Sequence, residues 1–214
     1  MGSKLQLQDW PYLKKYQKEN ANLPIPKSGQ KRIVFMGDSI TEFWSELCPE
    51  FFVGKPYINR GISGQTSPQM LIRFRADVIA LKPSIVVLLA GANDIAGNTG
   101  PSTLEMILNN IISMAELAKA NQIELILCSL LPAYDFPWET GSFPAEKIET
   151  FNTMLKKYAD ANEILYLDYY SAMVDERKGL KTIYADDGVH PNKVGYEVMA
   201  PIVEKAINDI ILNQ

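Results

Sequence analysis

The run Ser84-Ile85-Val86-Val87-Leu88-Leu89-Ala90 constrains the fold more than any other stretch of this chain. Its apolar residues are continuous rather than alternating. The strand it predicts must therefore be covered on both faces, as at the centre of a parallel sheet. It is too short to cross a bilayer, and no other apolar run in the sequence is long enough to do so. It ends in Gly91-Ala92-Asn93-Asp94, a turn that delivers polar side chains to the exit of an apolar strand.

The rest of the chain repeats that unit. Arg32-Ile33-Val34-Phe35-Met36 reads as a strand, runs into Gly37-Asp38-Ser39 and feeds a helix over Ile40–Leu47. Tyr57–Arg60 is a second strand, followed by the glycine turn Gly61-Ile62-Ser63-Gly64. Further strands are predicted at 123–128 and 164–167, and helices at 68–81, 101–121, 144–162 and 192–212. Loops at 129–141 and 183–191 separate them. A helix over Leu5–Asn20 and an irregular connector over 22–30, with Pro24, Pro26 and Gly29, are expected to pack outside the domain. The expected division is thus 1–30 for this appendage and 31–214 for the domain. Alternating strands and helices without repeats predict an α/β protein. Its five-stranded parallel sheet carries helices on both faces and right-handed crossovers.

Composition narrows function. The 214 residues carry a net charge of −4 with no basic stripe, which argues against nucleic acid as a partner. A single histidine leaves a His/Cys zinc site short of ligands. Cys48 and Cys128 are too few for a disulfide framework and are expected as small core residues, with a pairing left open. The opening Met-Gly-Ser-Lys-Leu lacks the apolar core of a signal peptide, and the compartment stays open.

The candidate chemistry lies at the strand exits. Ser39, at the end of a strand and the start of a helix, would have an exposed hydroxyl and a backbone N–H near the positive helix end. If a histidine serves as general base it must be His190, the only one. Asp187 lies three residues earlier, a spacing that lets its carboxylate share a face with the imidazole; Asp186 competes, but the spacing favours Asp187. A serine attacking an ester makes an oxyanion that needs donors. Candidates are the N–H of Ser39, an N–H in the Gly61–Gly64 turn and the Asn93 side-chain amide.

These residues resemble a known family. Gly37-Asp38-Ser39-Ile40, Gly64 in its turn, Gly91-Ala92-Asn93-Asp94 and Asp187-Gly188-Val189-His190-Pro191 are similar to the four motif blocks of the SGNH/GDSL hydrolases, in family order. Ile40 stands where the first block has Leu. The resemblance implies a flavodoxin-like three-layer fold, with Ser39 as nucleophile, His190 as base and Asp187 as its partner. It further implies an oxyanion hole of Ser39, Gly64 and Asn93, and it calls for neither metal nor organic cofactor. The Gly-x-Ser-x-Gly elbow of α/β-hydrolases is absent. A flavodoxin-like nucleotide binder is disfavoured because Asp38 would repel phosphate and no Gly-rich phosphate loop follows.

Substrate-binding candidates are Asp38 (otherwise a support for its turn), Trp44, Arg60, and Tyr134 and Trp138 in the aromatic loop 131–138. Those aromatics would stack on a sugar or line an acyl pocket, or else pack against the N-terminal helix or a second subunit of a homo-oligomer. The family branch that the sequence looks similar to is acetylhydrolase-like. A short acyl ester, acetyl on a carbohydrate, is therefore the expected substrate, ahead of a lysophospholipase or thioesterase substrate. A non-catalytic binding module is the remaining reading, which the intact residue set opposes.

Overall fold

A computed structural model describes residues 9–212. Five strands form one parallel sheet: β1 (Ile33–Gly37), β2 (Tyr57–Gly61), β3 (Ile85–Leu88), β4 (Glu124–Cys128) and β5 (Leu165–Leu167). Their order is β2-β1-β3-β4-β5. The chain leaves β1 outward to β2, then returns to the other side of β1 for β3. Strand order therefore reverses between β1 and β3, and the crevice outside their carboxyl ends is where open α/β sheets hold ligands. Ser39 follows β1 and Asn93 follows β3, so both fall at that crevice.

Side chains alternate between the sheet's two faces, and each face has its own core. Val34, Met36, Val86, Leu88 and Leu127 pack with Met70, Phe74, Ile107 and Phe151 from α3 (Ser67–Asp77), α5 (Leu104–Ala120) and α6 (Ala145–Ala161). Ile33, Phe35, Val87 and Ile126 pack on the other face. Their partners are Trp44 of α2 (Ser39–Leu47) and Tyr196, Met199 and Val203 of the closing helix Lys193–Leu212. Buried aromatics such as Phe74 and Phe151 carry about 3–5 kcal/mol each against truncation to Ala. Cys48 and Cys128 are both free and buried in the second of these cores.

Three elements differ from the sequence expectation. Within the described residues the N-terminal helix reduces to α1 (Gln17–Asn22); Leu5 and Leu7 lie outside them. Asp9 takes the N–H groups of Leu13 and Lys14, and Tyr12 adopts φ +57°, so residues 9–15 form turns around Pro11 instead of a helix. The helix from Pro68 begins one residue earlier and ends at Asp77, with a 3-10 turn over Ile79–Leu81. The helix expected from Pro101 starts at Leu104, where the Thr103 hydroxyl accepts the Met106 N–H at 3.2 Å. No described helix is long and apolar enough to cross a membrane.

Candidate active site

The turn after β1 is built tightly. A Cβ on Gly37 would lie 2.1 Å from Thr41 Oγ1 and 2.9 Å from the Leu89 carbonyl, so only glycine lets α2 start this close to β3. Asp38 caps α2: its carboxylate accepts the Ile40 N–H at 3.0 Å. It is wholly buried. Burial pushes its carboxyl up to about 6, with the Ile40 N–H pulling the other way. Ser39 follows as the first helical residue, and its Oγ lies 2.9 Å from His190 Nε2.

His190 belongs to a separate loop, closed by a bridge between Ala185 and Pro191. Its Nδ1 lies 2.6 Å from Asp187 Oδ2, while Asp187 Oδ1 accepts the N–H groups of Val189 at 2.9 Å and His190 at 2.8 Å. Burial raises the Asp187 carboxyl, but those three hydrogen bonds outweigh it and hold it below the usual carboxylate range. The hydrogen-bonded aspartate is thus Asp187, with Asp186 turned to the wall of a neighbouring cavity. Phe43 and Trp138 flank the imidazole with centroids at 5.5 and 5.7 Å.

Asn93 sits on the short helix α4 (Ala92–Ile95), entered through Gly91 at φ +128°. Its Nδ2 donates to the Gln65 carbonyl at 3.1 Å and to Asp38 Oδ2 at 3.3 Å, which aims the amide at the Ser39 turn. Gly64 has φ +75°, a left-handed conformation that explains a glycine there. Beneath lies a buried frame. Asp94 takes both the N–H and the hydroxyl of Ser67, and the Arg73 guanidinium reaches the Gly37 carbonyl at 3.0 Å.

Known proteins share the fold that carries these residues. The profile of the GDSL-like Lipase/Acylhydrolase family matches residues 35–198. The chain belongs to that family. It is similar to the crystal structure of a candidate acylhydrolase from Bacteroides fragilis, at 49% identity and a TM-score of 0.92, covering 94% of this chain and 98% of that one. It is also similar to a GDSL-like lipase from Bacteroides thetaiotaomicron, at 47% identity and a TM-score of 0.90, covering 94% and 99%. Among characterised sequences it is 26% identical to an acetylxylan esterase of Xylanibacter ruminicola over 87% of this chain but 45% of that protein. The chain thus spans less than half the length of that relative. As a member of the GDSL-like acylhydrolases it is a carboxylic ester hydrolase.

Within this GDSL-like enzyme the expected pocket walls divide. Trp44 is a correction: it is 3% exposed and stacks on Phe51 at 4.5 Å and Tyr196 at 5.2 Å, in the core. Arg60 is another. It is 3% exposed and donates to Asn20 Oδ1 at 2.9 Å and the Asn59 carbonyl at 2.6 Å. Its guanidinium also lies over the Tyr16 ring, so it fastens the N-terminal segment to the domain. Asp38 is sealed under the turn, out of reach of a substrate. Tyr134 and Trp138 are half exposed on the active-site edge, and Tyr134 lines the cavity beside Asp187.

Sequence reasoning missed Phe43 and Asn98. Phe43 was accessible to it, standing four residues after Ser39 and hence on the same helix face. Asn98 lies in Gly97-Asn98-Thr99-Gly100, which reads only as a turn.

Proposed function

We propose that this enzyme removes short acyl groups, acetyl foremost, from a carbohydrate, with Ser39 as nucleophile. His190 Nε2 takes the Ser39 proton as Oγ attacks the ester carbonyl. Asp187 holds the imidazole in the tautomer that bears its proton on Nδ1 and stabilises the imidazolium that forms. The N–H groups of Ser39 and Gly64 and the Asn93 amide take the oxyanion. Of the two bonds that Asn93 Nδ2 makes, the longer, to Asp38, is the one the oxyanion competes with. Collapse expels the alcohol, to which His190 returns the proton, and water hydrolyses the acyl-enzyme by the same steps reversed.

The observation that carries this reading is the unbroken chain Ser39 Oγ, His190 and Asp187, linked at 2.9 and 2.6 Å beside an aimed Asn93 amide. Support for a carbohydrate comes from the edge around it. A cavity of about 420 Å³ adjoins Asp187, with the half-exposed Tyr134 ring, Asp135, Arg177, Thr182 and Asp186 in its walls. A half-exposed aromatic ring among charged and polar groups, with the Arg177 guanidinium 5.5 Å from its centroid, suits a hydroxyl-rich sugar. Similarity to an acetylxylan esterase points the same way.

Similarity to thioesterase 1/protease 1/lysophospholipase L1 of Escherichia coli, 25% identical over 84% of each chain, favours a second reading, hydrolysis of longer acyl chains. A chain-length series of p-nitrophenyl esters, followed by acetate release from acetylated xylo-oligosaccharides, separates the two. Activity falling steeply beyond butyrate, with acetate released, is the expected outcome. A maximum at octanoate or longer would replace this reading with the second.

A further inference from the structure

Asn98 belongs to no motif block and lies on the surface, yet three directed hydrogen bonds hold its side chain. Its Nδ2 donates to Asn93 Oδ1 at 2.8 Å and to the Gly64 carbonyl at 3.2 Å. Its Oδ1 accepts the Trp138 indole N–H at 3.2 Å. We propose that Asn98 is a positioning residue for the oxyanion hole, and that Trp138 sets its polarity. The proposal rests on Asn93 and Gly64 being oxyanion donors.

The argument is one of donors and acceptors. Rotating a primary amide by half a turn exchanges its oxygen and nitrogen with almost no change of shape, so only its partners decide which way it faces. An indole N–H can only donate. Asn98 must therefore turn its oxygen to Trp138 and its NH₂ inward. Asn93 must meet that NH₂ with its own oxygen, which leaves its NH₂ facing the Ser39 turn. At the far end the Asp38 carboxylate and the Gln65 carbonyl are acceptors and require the same orientation. A reversed Asn93 would set its oxygen against both and would offer a lone pair, not a proton, to the developing negative charge.

Gly64 completes a ring. Asn98 Nδ2 holds the Gly64 carbonyl, the next carbonyl along, Gln65, takes the Asn93 amide, and Asn93 Oδ1 returns to Asn98. Two of the proposed oxyanion donors are thus tied to each other through one exposed side chain. Trp138 also lies against His190, so a single aromatic borders the proposed base and orients the donors.

The test measures kcat and KM on p-nitrophenyl acetate, and inhibition by a boronic acid that adds to the serine as a tetrahedral anion. Asn98→Ala is expected to lower kcat roughly tenfold with KM within about twofold, and to weaken the boronate in proportion. Asn98→Asp keeps the shape but removes both donors, so its loss should be at least as large. Trp138→Phe, which removes the indole donor and trims the ring beside His190, should move kcat the same way by less. Introduced into Asn93→Ala, the Asn98→Ala change should cost under about threefold, because its main target is already gone. Melting temperatures within a few degrees of wild type are expected at this surface position.

Wild-type kcat in Asn98→Ala, a loss confined to KM, losses that multiply in the double variant, or a kcat fall that tracks a fall in melting temperature would each overturn the proposal. An Asn93→Ala loss below tenfold would instead remove the oxyanion reading beneath it, and is distinguished by that variant alone.

Discussion

The Ser39 turn and the His190 loop meet at one pair of atoms, but they are held there by opposite means. Ser39 sits where a central strand meets a helix, with a wholly buried aspartate beneath it and a buried arginine on the Gly37 carbonyl. His190 and Asp187 sit on a loop, their side chains 22% and 41% exposed, fixed by hydrogen bonds that Asp187 makes within three residues of itself. The first half is positioned by the whole sheet and the second by local chain geometry. A local device is robust to distant changes but depends on a single side chain. A sheet-borne device spreads its support and tolerates the loss of any one contact better.

That contrast orders what substitution should do. In the loop half, Asp187→Asn removes the carboxylate that meets the imidazole Nδ1 and should lower kcat roughly 10³–10⁴-fold. Asp186→Asn, one residue away, should cost under about threefold on the same substrate, since the aspartate hydrogen bonds to His190 come from Asp187. Equal losses would mean that both aspartates support His190. In the sheet half, Asn93→Ala should cost roughly 10²–10³ in kcat, assayed on p-nitrophenyl acetate. A smaller loss would show that the Ser39 and Gly64 amides suffice.

A third prediction separates the halves by pH. Burial raises the Asp38 carboxyl to about 6, so folding favours its protonated form relative to the unfolded chain. Its contribution to stability is therefore fully present below the usual carboxylate range and is lost as pH rises to about 6. Two pKa units correspond to about 3 kcal/mol. Asp38→Asn should remove that loss, so the variant should gain on wild type between pH 4 and pH 7 in urea unfolding. A difference that does not change with pH would place Asp38 in contact with solvent. Asp187 has the opposite sign: its carboxyl lies low, its contribution is present above the usual range and fades as pH falls further. Activity itself should fall on acidification, because the base must be unprotonated to take the serine proton; a flat profile from pH 5 to 8 would contradict a histidine base.

Much of the fold and of the candidate site is legible in sequence, for the same reason that the two halves differ. Parallel strands buried on both faces declare themselves as continuous apolar runs, and Asp187 and His190 lie within one short motif. What escaped depended on direction or on distance. Trp44, a substrate-binding candidate in the sequence, stands five residues after Ser39. Five residues along a helix is the wrong phase, and its ring faces the sheet, whereas Phe43, four along, faces His190. Arg60 pairs in register with Met36, whose side chain points to the sheet's α3 face. The Trp138–Asn98 contact joins residues forty positions apart, and no local pattern announces it. The N-terminal helix failed at Pro11, where the Asp9 carboxylate offers the backbone a turn instead.

The central claim is that Ser39 attacks the ester and carries the acyl group. The most direct measurement is rapid acid quench of the enzyme with p-nitrophenyl acetate, peptide mapping by mass spectrometry, and turnover of Ser39→Ala beside it. An acetyl group on the peptide containing Ser39, with turnover in Ser39→Ala falling by roughly 10⁴ or more, is the predicted result. An acetyl group on another residue, or a Ser39→Ala variant that hydrolyses the ester at the wild-type rate, would contradict it.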